Sequence, residues 1–397
     1  MRARTALLAL AALSALPGCD DDGGAQSAVD ASMSAADMGT IPDMAVAADA
    51  EVSRRFDTID PTTDGPYSAA YTLRQVTVGD RVLPVGVWGP SEQVAQAQPL
   101  EAMVVPDQAE SMAALRGAAP EGCVPSSLEV VLDGALSEGR WPVVLYSHCH
   151  ECLGVSGATL ARRLATWGHI VLAPDHVNNT LWNGQAGDGV AITGEFLEVR
   201  GNDIVGVLDA VAPDGELAAL APYVDLEHVG VAGHSYGAVT AGWVAERDPR
   251  IDAAYVMAAP VENPLIPGVS AANITVPTVM LVAVEDNSIQ EIGNRFMRVN
   301  YEDLGGPAIK VEVADAGHWS VSDLAGLVEA LAPGCGEGIR QTNEEPFTYL
   351  DPDEGRHITA TWGVALFGAL LQGDEETSAW LNDFSAEGQD IQRRQWP

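Results

Sequence analysis

At 397 residues, 47% of them apolar and 19% charged, the chain has room for one large domain or two ordinary ones and enough apolar material for a sizeable core. Its formal net charge is −36, and Lys310 is its sole lysine. A surface of that sign repels phosphate backbones and anionic headgroups, which excludes nucleic acid as a partner and makes the acidic surface a device for solubility.

Arg2 and Arg4 form a basic start, and Thr5 to Leu16 forms an apolar run too short to span a bilayer. The run ends in Leu16-Pro17-Gly18-Cys19, which resembles the lipobox of bacterial lipoproteins. Residues 1–18 are therefore expected to be a signal peptide, with Cys19 lipidated and anchoring the mature chain to the cell envelope. The alternative is an ordinary cleaved signal that leaves Cys19 in the tail. Both readings export the protein. Residues 19–55 are rich in Asp, Ala, Ser, Gly and Met and bury too little apolar surface to fold, so they read as an acidic linker.

A single catalytic domain is expected from residue 56 to 397. Tyr71 to Val78 and Arg81 to Trp88 alternate apolar and polar around Gly79-Asp80, which predicts an antiparallel hairpin. A short helix over Gln108 to Arg116 and a strand over Leu128 to Leu132 follow. From Val143 the pattern changes to continuous apolar runs separated by helical stretches, as in a parallel sheet covered on both faces. Strands are predicted at Val143–Ser147, Ile170–Pro174, Val229–Ala232, Ala253–Ala258, Val279–Val284 and Ile309–Val313. The predicted helices are Ser156–Trp167, Glu195–Ala212, Ala238–Glu246, Ser288–Leu304, Val321–Leu331 and a long closing helix, Arg356–Leu371.

Gly233-His234-Ser235-Tyr236-Gly237 stands between an apolar strand and a helix, the pattern of a nucleophile elbow in an α/β-hydrolase. The turn is so tight that a Cβ at either flanking glycine crowds the neighbouring backbone. Serine is a poor nucleophile until a base takes its proton, and the base needs a carboxylate to hold its tautomer. In this fold the order along the chain is serine, acid, histidine. Val279–Val284 ends at Glu285-Asp286, and Ile309–Val313 is followed by Asp315-Ala316-Gly317-His318-Trp319, so Ser235, Asp286 and His318 are the candidate triad. Glu285 and Glu262 are the rival acids. His357 belongs to the closing helix, His228 and His169 precede strands at the wrong end of the sheet, and His234 is expected to pack beneath the elbow. One oxyanion donor is expected from the backbone N–H of Tyr236 and another from the loop after Val143–Ser147.

PVVLYSH, LATWGHIVLAPDHVNNT, LEVRGNDIVGVLDAV and VGVAGHSYGAVTA together resemble the dienelactone-hydrolase-like and platelet-activating-factor-acetylhydrolase-like α/β-hydrolases, over about Tyr67 to Leu381. The resemblance implies a mostly parallel central sheet with an N-terminal antiparallel hairpin and helices on both faces. It also implies carboxylic-ester hydrolysis through an acyl-enzyme, with no metal or organic cofactor. Carried over by position, the second oxyanion donor is the backbone N–H of His150, and the substrate is a small-molecule or lipid ester.

Where those families have glycine, this chain has Cys149, within His148-Cys149-His150-Glu151-Cys152. A metal site is conceivable from five such side chains, but consecutive residues point apart. An exported chain favours disulfides: Cys149 with Cys152, or each with Cys123 or Cys335. Trp182 and Trp319 are candidate walls of the substrate site or, equally, core residues. His176 is expected to shape its loop or touch substrate. The competing reading from another class is a surface lipoprotein that uses a hydrolase scaffold for binding alone.

Overall fold

In the computed structural model, residues 56 and 58–396 are described. The predicted signal peptide, Cys19 and the linker lie outside them. Among the described residues no helix is long and apolar enough to cross a membrane.

The chain forms strands β1 (Ser68–Val78), β2 (Arg81–Ser91), β3 (Gln96–Gln98), β4 (Leu128–Leu132), β5 (Trp141–Ser147), β6 (Ile170–Pro174) and β7 (Val224–His234). After these come β8 (Ile251–Met257), β9 (Thr278–Ala283), β10 (Ala308–Val313), β11 (Glu337–Ile339), β12 (Pro346–Thr348) and β13 (Gln389–Arg394). Helices are α1 (Ala109–Ala118), α2 (Ala158–Thr166), α3 (Leu181–Ala186), α4 (Gly194–Asp209), α5 (Tyr236–Arg247), α6 (Gln290–Asp303), α7 (Pro352–Leu371) and α8 (Glu375–Asp383).

One sheet of eleven strands runs β13-β10-β9-β8-β7-β5-β6-β2-β1-β4-β3. The six from β10 to β6 are mutually parallel, while β13 and the β1–β2 hairpin are antiparallel to their neighbours on the block's two flanks. Period-two alternation sends each strand's side chains into two layers. On β5, Val144 and Tyr146 enter the layer that holds Leu160, Leu164, Trp362 and Phe367. Val143 and Leu145 enter the layer that holds Ile204, Val207, Val239 and Met297. The sheet is thus covered by α2 and α7 on one face and by α4, α5 and α6 on the other, which is why its central strands are uninterrupted apolar runs.

The chain goes from β5 outward to β6, then crosses to β7 on the other side of β5. That reversal is the topological switch point where open α/β sheets place their ligands, at the carboxyl ends of the strands. The loops after β5 and β7 meet there.

Local chemistry accounts for the helix ends. Asp351 accepts the Asp353 N–H (2.9 Å) and Pro352 opens α7, a start four residues earlier than the apolar pattern suggests. The helix predicted over Val321–Leu331 does not form. The segment is a series of turns with a single 3-10 turn at Glu329–Leu331. Gly326 takes φ +70°, and Asp323 is turned inward to cap the start of α2, accepting the Thr159 N–H (2.8 Å) and hydroxyl (2.5 Å). Tertiary capping outweighs helical propensity here. The short elements β3, β11, β12, β13, α3 and α8 were not anticipated.

Of the three possible disulfide pairings, the structure has Cys123–Cys335 and Cys149–Cys152. The second leaves no thiolate in the His148–Cys152 loop for a metal.

Candidate active site

Ser235 sits at φ 58°, ψ −123° between β7 and α5, a backbone region costing about 1–3 kcal/mol that tertiary structure must hold in place. Its N–H donates to Met257 O at the end of β8 (2.9 Å). The flanking glycines do what the sequence requires of them. A Cβ on Gly233 would lie 2.0 Å from Gly237 O, and one on Gly237 would lie 1.9 Å from Ser147 O and 2.7 Å from His148 O. The elbow is therefore pressed against the loop that leaves β5.

The candidate acid and base come from the loops after β9 and β10. His318 Nδ1 lies 2.6 Å from Asp286 Oδ2, and His318 Nε2 lies 2.8 Å from Ser235 Oγ. A carboxylate only accepts, so Nδ1–H donates to Asp286 and Nε2 is left to accept the serine proton, the tautomer a general base needs. The other oxygen of Asp286 accepts the N–H groups of Ser288 (3.0 Å) and Ile289 (2.9 Å), which fixes the carboxylate plane. Asp286 and His318 are buried; Ser235 is half-buried.

The rivals are occupied elsewhere. Glu285 accepts from Arg340 Nη1 (3.0 Å) and the Gln341 N–H (3.0 Å), and Arg340 also holds Asp315 (2.7 Å), so one arginine ties the acid loop to the histidine loop. Glu262 accepts the Ala271 N–H (2.8 Å). His357 faces Arg163 (3.3 Å) and His169 faces Leu164 O (3.2 Å). His228 lies within β7, its Nδ1 2.9 Å from Asp225. His234 packs behind the triad, its Nε2–H donating to His318 O (2.8 Å).

Trp319 is buried and meets both His318 and His234 edge-on, with ring centroids 4.9 and 5.3 Å apart. Trp182 is half-buried on α3, packed against the α2–α7 layer. The structure therefore puts Trp319 beside His318, the candidate base, and Trp182 on α3 against the α2–α7 layer.

His150 and Tyr236 are neighbours, their rings edge-on at 6.3 Å. Neither backbone N–H has an acceptor among the described residues. Behind them lies a buried polar network. The Arg200 guanidinium, fully enclosed, donates from Nη1 to Asn179 Oδ1 (2.5 Å), from Nε to Thr240 Oγ1 (3.2 Å), and from Nη2 to Ser147 Oγ (3.0 Å) and His148 O. It also stacks 4.7 Å from the Tyr236 ring. Burial pulls its pKa down to about 9, which leaves it charged at neutral pH. His176 bridges Ser147 Oγ (3.0 Å) and Asp203 (2.9 Å), and Asp203 is forked by Arg81. His176 is thus a framework residue. Burial, with help from Arg200, lowers the His150 imidazole to about 4, and its Nδ1 accepts from Asn179 (2.7 Å).

Arg200 and its network are missing from the sequence-based site. A signal was present: arginine and aspartate three apart, on one face of a helix that is otherwise apolar on that side, have to be paired when that face is buried.

Sheet order, elbow geometry and the residues gathered at the switch point define an α/β-hydrolase. Residues 129–301 match the dienelactone hydrolase family, which supports a dienelactone-hydrolase-like reading of the α/β-hydrolase fold. Among solved structures it is similar to a ferulic acid esterase from Streptomyces cinnamoneus, with a TM-score of 0.61 and 19% identity over 83% of this chain and 97% of that one. No curated protein sequence matches it.

Proposed function

We propose that the protein is a serine hydrolase that cleaves carboxylic esters through an acyl-enzyme, with Ser235 as nucleophile, His318 as base and then acid, and Asp286 as the group that orients His318. The observation that carries this is the hydrogen-bonded chain Ser235 Oγ to His318 Nε2 to Asp286, 2.8 and 2.6 Å, with the serine on a strained elbow. Ser235 Oγ attacks the ester carbonyl carbon while its proton passes to His318 Nε2. The backbone N–H groups of Tyr236 and His150 stabilise the oxyanion, each worth roughly 10²–10³ in rate. His318 then protonates the leaving alcohol. It next takes a proton from water, which attacks the acyl carbonyl and frees the acid and Ser235. Trp319, in contact with His318, is the better placed of the two tryptophans to meet a substrate group.

The family match and the likeness to an esterase fold support ester hydrolysis of this kind. A fluorophosphonate probe tests it: labelling of the purified protein is expected, and Ser235→Ala should abolish it. Labelling that survives the substitution refutes the assignment. A panel of p-nitrophenyl esters of increasing chain length then ranks the acyl groups. We also propose export and lipidation at Cys19, a reading in keeping with two disulfides in the folded part. Metabolic labelling with a fatty-acid analogue should mark the wild type and not Cys19→Ser.

A further inference from the structure

The proposed chemistry leaves one histidine of the β5 loop unused. His148 is fully buried, and the partners of its two ring nitrogens determine its tautomer. The backbone N–H of His176 donates to Nε2 (2.9 Å), so Nε2 carries a lone pair and no proton. Nδ1 lies 2.6 Å from the carbonyl oxygen of Cys149, which only accepts, so Nδ1 carries the proton and donates it. Burial, then the Arg200 charge, push the imidazole well below the ordinary histidine range and keep it neutral.

The acceptor of that hydrogen bond is half of a peptide unit. Cys149 C=O and His150 N–H share one peptide bond, and no peptide bond among the described residues is cis. In a trans peptide the C=O and N–H point in opposite directions. Drawing the Cys149 oxygen toward the His148 ring therefore turns the His150 N–H away from that ring. The preceding carbonyl, His148 O, is held separately by Arg200, and the Cys149–Cys152 disulfide closes the turn on its other side. The peptide unit has little freedom to rotate.

We infer that His148 is a positioning residue for ester hydrolysis: its Nδ1–H, by fixing the Cys149 carbonyl, aims the His150 N–H at the oxyanion. This rests on the esterase reading above. His148 touches no reacting atom, so it acts only through the peptide unit it orients.

Two substitutions separate the donor from the bulk. In His148→Asn the side-chain amide nitrogen occupies the place of Nδ1 and keeps a donor for the Cys149 oxygen. In His148→Gln the longer amide reaches the place of Nε2, answers the His176 N–H with its oxygen, and leaves the Cys149 oxygen without a donor. An oxyanion contact is made in the transition state, so its loss lowers kcat and kcat/KM together. The expected result is a fall in kcat of about 30- to 100-fold for His148→Gln, with KM within about threefold, and recovery to within about fivefold of wild type for His148→Asn. Wild-type kcat in His148→Gln, equal losses in both variants, or a loss confined to KM would each overturn the inference.

Imidazole ¹⁵N spectra of the wild-type protein give a readout that needs no substitution. His148 should be protonated at Nδ1 and bare at Nε2 at neutral pH; the opposite tautomer overturns the inference even where a variant fails to fold. A wild-type protein without ester turnover refutes the esterase reading and this one with it, whereas turnover that His148→Gln leaves intact refutes only this one.

Discussion

Removing the two disulfides separately should divide loop order from global stability. Cys149 and Cys152 are 3 apart in sequence, and Cys123 and Cys335 are 212 apart. On chain entropy alone, the short closure contributes about 2 kcal/mol and the long one about 5 kcal/mol at 25 °C. For a folded part of about 340 residues, with an unfolding entropy near 0.7 kcal/mol/K, these correspond to Tm losses of about 3 and 7 °C. Activity should follow the reverse order. The short disulfide brackets the His150 N–H, so freeing it loosens a proposed oxyanion donor. Arg200 and His148 still hold two of the loop's carbonyls, which limits the loss in kcat to about tenfold. The long disulfide joins Cys123 to the segment beyond the histidine loop and bears on neither donor. The assay is a thermal melt together with p-nitrophenyl ester kinetics, run well below both transitions, on Cys149→Ala/Cys152→Ala and Cys123→Ala/Cys335→Ala. A short-disulfide variant with wild-type kcat, or Tm losses in the opposite order, would refute the reasoning.

Asp286→Asn should keep the contacts to Ser288 and Ile289 yet present an N–H to His318 Nδ1, forcing the wrong tautomer and lowering kcat by about 10³- to 10⁴-fold at unchanged Tm, read by steady-state kinetics and a melt. Arg200→Lys replaces a fork that reaches four acceptors with a single ammonium. A stability loss of about 3 kcal/mol, or roughly 4 °C, is expected, with kcat down at least tenfold; wild-type values for both would show that the fork is dispensable. Gly237→Ala drives a Cβ into two backbone carbonyls and should cost about 3 kcal/mol or more, measured by denaturant unfolding. Burial raises Asp175 to about 7, so the folded state holds a proton that the unfolded chain releases above the ordinary aspartate value of 3.8. Stability associated with this group is therefore full below pH 4 and is lost as pH rises toward 7. Asp175→Asn keeps an acceptor for the Gly154 N–H (2.6 Å) and should flatten that part of the stability–pH curve; an unchanged slope would refute the assignment.

Much of the fold was legible because a parallel sheet covered on both faces demands long apolar runs, and these stand out from Val143 onward. The elbow and its partners were legible for a related reason. Chain order is preserved in this fold, and each partner falls just after a strand, so position along the sequence stands in for position in space. Asp286 is preferred to its neighbour Glu285 because adjacent side chains at a strand end point opposite ways, and in the structure Glu285 is bound to Arg340, a residue 55 positions away. The failed helix at Val321–Leu331 marks the limit of local pattern. Its propensity was sound, but Asp323 is used to cap α2, 164 residues upstream of it in the chain.

The sequence by itself therefore determined the class of fold, the place of Ser235 on its elbow, the order in which Asp286 and His318 follow it after their strands, and the crowding at the two elbow glycines. All of these depend on local sterics or on order along the chain. Tertiary structure alone decided which cysteines pair, that His176 serves the framework, and that Arg200, His148 and Asn179 surround the loop facing Ser235. Apart from the Cys149–Cys152 bridge, those are contacts between residues 21 or more positions apart, made inside a buried layer where every polar atom needs a partner. No periodicity encodes such partnerships, because they depend on where separate strands end once the sheet has closed.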